Sequence, residues 1–99
     1  MTNFVFSYRV PSGYAPDAGA FAEWQAWFGE LGPALVDVGH AVTDHASLGE
    51  IGGRDSRMIG YSVVAAEDIG SALALAEGCP AIRTGGGVEV GPVMEVAAS

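Results

Sequence analysis

The chain has 99 residues, 49% of them hydrophobic, and a formal net charge of −8. That length allows one small domain with a single core. Its four basic residues are all arginine, which excludes a Schiff-base lysine and gives too little counter-charge for a phosphate backbone, so no nucleic-acid partner is expected. A mean hydropathy of +0.31 is high for a body with so much surface per unit volume, and part of that apolar content is expected to meet a second copy of the chain. The single cysteine leaves no internal disulfide and no cysteine-based zinc site. The opening MTNFVFSYRV lacks the basic and long apolar regions of a signal peptide, and no apolar stretch reaches the ~20 residues that span a bilayer. A soluble cytoplasmic protein with no membrane partner is expected.

Phe4 to Val10 (FVFSYRV) is aromatic and β-branched and is closed by Pro11, Ser12 and Gly13, which predicts a first strand and its exit turn. Phe4, Phe6 and Tyr8 share one face, with Val5, Ser7 and Arg9 on the other. Asp17 is the expected N-cap of a helix. Phe21, Trp24, Phe28, Leu31, Leu35 and Val38 then recur at spacings of three and four, a continuous helical stripe beside which Trp27 widens the face. Gly32-Pro33 interrupts it, so the main helix is expected to end near Leu31, with a short helical turn begun by Pro33 and Gly39 as its left-handed stop.

His40 to Leu48 (HAVTDHASL) is read as the second strand and Gly49 to Arg57 as a hairpin loop rich in glycine and charge. Met58 to Ala65 (MIGYSVVA) is a third strand. Asp68 or Glu67 caps a second helix that holds Ile69, Ala72, Leu73 and Ala76 on one face and ends at Gly78 and Pro80. Gly85 to Gly87 turn into a last strand, Val88 to Val96, and Ala97 to Ser99 are expected to fray. The fold class is therefore α+β, a ferredoxin-like βαββαβ chain with two helices on one face of a four-stranded antiparallel sheet. The uncovered face is expected to carry apolar side chains around Ile59, Tyr61, Val63, Val88 and Val90 and to be buried in a homodimer.

The stretch GYSVVAAEDIGSALALAEGCP, followed by GGGVEVGPVME, resembles the YCII-related (DGPF) family, as do the first-helix segment WQAWFGELG and the Leu35 to Gly39 turn. The resemblance covers nearly the whole chain. It implies a dimeric α/β barrel with a cleft between sheet and helix. It also implies either a His–Asp pair for lyase or dehydrochlorinase chemistry or a place beside alternative sigma factors, as an interaction partner in transcriptional regulation. The histidine that some members carry early in the first helix has no counterpart here, and Trp24 stands in its place.

The candidate catalytic residues are His40, Asp44 and Asp37. An imidazole steered by a carboxylate is a general base near neutral pH, yet four residues of extended chain separate His40 from Asp44 by ~13 Å. The alternative is that His40 simply begins the strand and that Asp44 and His45 are solvated. Trp24, Trp27, Phe28 and Tyr61 either wall an apolar pocket for a small organic ligand or pack as core, and Arg83 would meet a ligand carboxylate or a dimer mate. His40, Asp44, His45 and Glu89 lack metal-ligand spacing, so neither metal nor cofactor is expected. Cys79, after a helix end, meets the wrong end of the dipole for a reactive thiolate and is read as structural. Three functions follow: a dimeric small-molecule-binding or accessory domain, a lyase-type enzyme with His40 as base, and a regulatory interaction partner.

Overall fold

In β1 (Thr2–Pro11) burial follows the pleat. Phe4, Phe6, Tyr8 and Val10 are each at most 3% exposed, and the residues between them are half-buried. The computed structural model describes residues 1–51 and 55–94. β1 lies inside a four-stranded sheet of order β2-β3-β1-β4 in which every neighbouring pair is antiparallel. The outer strands are β2 (Leu35–Ala41) and β4 (Gly87–Pro92), and β3 (Ser56–Ala66) is the second inner one. With α1 (Ala20–Leu31) and α2 (Ile69–Ala76) the order is βαββαβ, a ferredoxin-like-style sheet in the α+β class.

The helices cover the face of Phe4, Phe6 and Tyr8. Trp27 and Leu31 of α1 and Ala72 and Ala76 of α2 join those side chains in one cluster with Val64 and Cys79. Trp27 stacks on Phe6 at 6.3 Å and meets Tyr8 edge-on at 5.8 Å. Its indole N–H donates to the Leu75 carbonyl at 3.3 Å, so the buried donor is satisfied across two helices. A Cβ at Gly78 would sit 3.0 Å from that indole, which is why the end of α2 can lie so close.

Several boundaries differ from those the sequence predicts. α1 begins at Ala20, not after Asp17: the Asp17 carboxylate accepts the Gly19 N–H at 2.9 Å and its carbonyl accepts the Ala20 N–H, closing a turn ahead of the helix. Phe21 falls outside the buried stripe at 73% exposed. A 3-10 turn over Gly32–Ala34 does follow, with Pro33 in its first positions. The second strand is Leu35–Ala41, earlier than His40 to Leu48. Leu35 and Val38, counted in the helical stripe, also suit a pleated surface, and pairing with β3 decides between the two.

Gly39 has the expected positive φ, +75°, but as a bulge inside β2 and not as a helix stop. Asp37 pairs with Val63 and His40 with Tyr61, so Val38 and Gly39 together oppose Ser62. A four-residue helix, α3 (Pro80–Arg83), has no counterpart in the sequence-based expectation. Pro80 occupies its first turn, where a missing N–H costs nothing. The predicted last strand ends at Pro92, short of Val93 and Met94, which are not in the sheet; its residues 95 and 96, the fraying tail and part of the predicted hairpin loop (52–54) lie outside the described residues.

The uncovered face is less apolar than expected. Val88 and Val90 lie opposite Tyr8 and Phe6, on the helix side, and Ile59 also packs against the core. Tyr61 and Val63 remain on the open face, sharing it with Ser7, Glu89, Asp37 and His40. No helix among the described residues is long and apolar enough to cross a membrane.

Candidate functional site

A cleft of about 670 Å3 lies where the start of α1 faces the paired ends of β2 and β3. That volume is within the range of ligand pockets. Trp24 and Phe28 supply the helix wall, their rings 5.8 Å apart. They face that way because Trp27 and Leu31, on the neighbouring stripe of α1, are pinned into the core. Tyr8 contributes from β1, its ring 4.8 Å from Trp24 and nearly edge-on. β3 contributes Ile59 and Tyr61, and β2 the run from Val38 to Ala41, with Val42 and Thr43 just past its end.

Two irregularities shape the strand side. Tyr8 pairs with Gly60 and Arg9 with Met58, so Ile59 is an extra residue in β3. The second is the Val38-Gly39 bulge. A Cβ at Gly39 would come within 1.8 Å of the Tyr61 carbonyl oxygen, so only glycine lets β2 approach so closely with that backbone. The bulge also lets the buried Ser62 hydroxyl donate to the Val38 carbonyl at 2.7 Å. Beyond it, His40 stands opposite Tyr61 with the two rings 6.0 Å apart.

Four of the residues singled out in the sequence meet here: Trp24, Phe28, Tyr61 and His40. Four others do not. Trp27 is core, at 3% exposed. Arg83 is on α3, with its guanidinium 3.5 Å from the Gly78 carbonyl. The Asp37 carboxylate accepts the Gly39 N–H at 2.9 Å, so its work is to hold the bulge. The Asp44 carboxylate accepts the His45 N–H at 2.9 Å and is exposed, past the end of β2. Neither acid lines the cleft beside His40. Among the described residues no three His, Cys, Asp or Glu side chains converge as metal ligands.

The charged groups that do line the cleft are Asp17 and Arg57. Arg57 donates to the Tyr14 carbonyl at 3.1 Å, its one hydrogen bond among the described residues. Among the described residues the other donors of its five-donor fork have no partner. Tyr14 and Gln25 add polar edges. Sequence reasoning passes over Asp17 because it reads as a helix cap, and over Arg57 because it ends a loop. No local pattern points to Arg57, because the extra residue Ile59 breaks the alternation of β3 between Arg57 and Tyr61.

Of the residues lining the cleft, Tyr8 has a buried hydroxyl with no hydrogen-bond partner among the described residues. Burial holds the phenol well above its ordinary range; the Ser62 hydroxyl lies close enough to oppose that rise, but without the geometry of a hydrogen bond. Cys79 sits apart from the cleft, 1% exposed at the start of α3. Burial pushes its thiol from 9.0 to about 11, although the Ala81 and Ile82 amides of α3 oppose that rise. The thiol is thus inert by burial, and not by the helix C-terminus that its place in the sequence suggests.

Comparison with protein-family models finds no matching family, and no curated protein matches the chain.

Proposed function

We propose that this chain binds a small planar organic molecule in the cleft beside Trp24. One observation carries the reading: the space is open, and it joins aromatic walls (Tyr8, Trp24, Phe28) to a few polar groups, among them an arginine with one side-chain hydrogen bond among the described residues. Apolar walls supply affinity by burial, and a sparse polar set fixes orientation. Arg57 favours a ligand with a carboxylate or similar oxygens at one end, because its fork matches two such atoms. The test is a titration of small aromatic acids and amides, followed by tryptophan fluorescence and ligand-observed NMR. Binding that is lost in Trp24→Ala is the expected result. A native, folded chain that takes up none of these probes would remove the proposal.

The same reading includes a homodimer in which the open sheet faces meet, as in the dimeric α/β barrel of the YCII-related family that the sequence resembles. It is supported by the ferredoxin-like-style sheet and by the exposed apolar groups on and beside that face, Tyr61 and Met58 at 37% and 47% exposed. Sedimentation equilibrium tests it: a monomer at about 100 micromolar, roughly a hundred-thousandfold above the nanomolar dissociation constant of a stable pair, would exclude it.

A second reading has one observation in its favour, the place of His40 on the cleft lining. On that reading the protein is a lyase-type enzyme with His40 as the base. The carboxylate to consider as its helper is then Asp17, from the turn before α1, in place of Asp37 or Asp44. Turnover of any substrate that survives His40→Ala unchanged would exclude it.

A further inference from the structure

The Tyr8 hydroxyl is an anomaly. Its residue is 3% exposed, and its oxygen is buried with no hydrogen-bond partner among the described residues. Buried polar groups are rarely left so, because the lost hydration is not replaced. The other buried polar side chains beside it have partners: Ser62 donates to Val38, and the Trp27 indole donates to Leu75. The orphan also belongs to a residue that lines the cleft, with its ring 4.8 Å from that of Trp24. Trp24 is only half-buried, unlike the buried Trp27, so the ring packed on Tyr8 is reached from the cleft.

We propose that Tyr8 is a specificity-determining residue of this cleft, its hydroxyl donating a hydrogen bond to an acceptor oxygen on an aromatic ligand. The ligand class is a planar ring with a carbonyl or carboxylate oxygen attached, seated against Trp24 and Phe28 with that oxygen on the Tyr8 phenol. The inference rests on the small-molecule reading above and deepens it. A donor held out of water discriminates strongly against an analogue that lacks the acceptor, because that analogue leaves the donor unpaired.

The experiment uses the full chain, its Tyr8→Phe variant and four probes: benzoate, benzamide, acetophenone and ethylbenzene. Affinities come from tryptophan fluorescence and NMR shifts, and thermal midpoints are measured without probe. In the parent chain the three oxygen-bearing probes bind more tightly than ethylbenzene. In Tyr8→Phe they weaken about five- to tenfold while ethylbenzene does not, in keeping with the net worth of one hydrogen bond. Without probe, Tyr8→Phe melts at the same temperature as the parent or above it, since it removes an unpaired polar group. A lower melting point, or failure to fold, would overturn the inference by showing that the phenol has a structural partner, with Ser62 the first suspect. Equal probe affinities in both chains would overturn it and leave the cleft reading standing. Binding of no probe to the folded parent would remove both.

Discussion

The same substitution, glycine to alanine, should act with opposite sign at two positions. At Gly39 the backbone has φ +75°, and an added Cβ would lie 1.8 Å from the Tyr61 carbonyl oxygen. Left-handed geometry alone costs a non-glycine residue roughly 1–2 kcal/mol. The contact must also open by about 1.5 Å to reach an ordinary C···O distance. That opening separates β2 from β3 beside the Ser62–Val38 hydrogen bond, whose loss adds about 1 kcal/mol. The sum is about 3 kcal/mol, a large part of the ~5–15 kcal/mol that holds a domain of this kind. At Gly29, inside α1, a Cβ meets nothing within 4 Å and φ is helical. Alanine there should stabilise by about 0.5–1 kcal/mol. Urea unfolding followed by tryptophan fluorescence separates the two. With an m-value of about 1.5 kcal/mol/M, Gly39→Ala moves the midpoint down by about 2 M, and Gly29→Ala moves it up by about half of one. A Gly39→Ala midpoint within 0.5 M of the parent, on the order of 1 kcal/mol, would refute the bulge and with it the placement of His40 opposite Tyr61.

The two tryptophans should part company in the same assay. Trp27→Ala removes the core indole and should cost about 3–5 kcal/mol, whereas Trp24→Ala, from a half-buried wall, should cost clearly less; equal costs would contradict the assignment of one to core and the other to cleft. Asp68 caps α2 by accepting the Ser71 N–H at 2.8 Å, and that bond holds its carboxyl below the ordinary 3.8. A folded-state pKa below the unfolded one gives stability that is present above pH 3.8 and lost as pH falls through the lower folded value. The parent should therefore lose more of its melting temperature between pH 5 and pH 2.5, on the order of the carboxyl range, than Asp68→Asn, which keeps an acceptor but cannot titrate. For Cys79 the folded pKa of about 11 exceeds the ordinary 9.0, so its contribution is complete below pH 9.0 and is lost as pH rises to about 11. Native chain at pH 8, about a unit below the ordinary thiol value, should react with a thiol reagent far more slowly than urea-unfolded chain; equal rates would show that the thiol is exposed.

The parts of the fold that are legible in the sequence are those where one local rule decides. FVFSYRV states its own pleat, and Phe4, Phe6, Tyr8 and Val10 are buried as the alternation requires. Asp68 before an apolar run with Ala72 and Ala76 on one face states a capped helix, and the carboxylate does accept from Ser71. The largest departure falls between Leu35 and Leu48. There Leu35 and Val38 fit a spacing of three and four, and they fit a strand equally well. Residues that satisfy both periods do not decide locally between helix and strand. What settles them is pairing with β3, and that is a long-range fact.

The site is less legible for the same reason, carried one step further. Trp24, Phe28, Tyr61 and His40 can be found because aromatic rings and imidazoles stand out by type. Their polar companions cannot, because Asp17, Arg57 and the Tyr8 hydroxyl each have a ready local duty: cap, loop charge, core ring. Only the meeting of three distant segments shows that each duty is incomplete. Asp17 closes a turn at the cleft and caps no helix. Among the described residues Arg57 spends one donor of five, on Tyr14. Tyr8 fills the core with its ring, and its hydroxyl has no partner among the described residues. Asp37 and Asp44 show the converse, since they sit near His40 in sequence and yet accept from backbone amides close by in the chain. Unspent hydrogen-bonding capacity at a shared cavity is thus a better guide to this site than sequence proximity to a histidine, and it selects Tyr8 and Arg57 over Asp37 and Asp44 as the polar residues to test first.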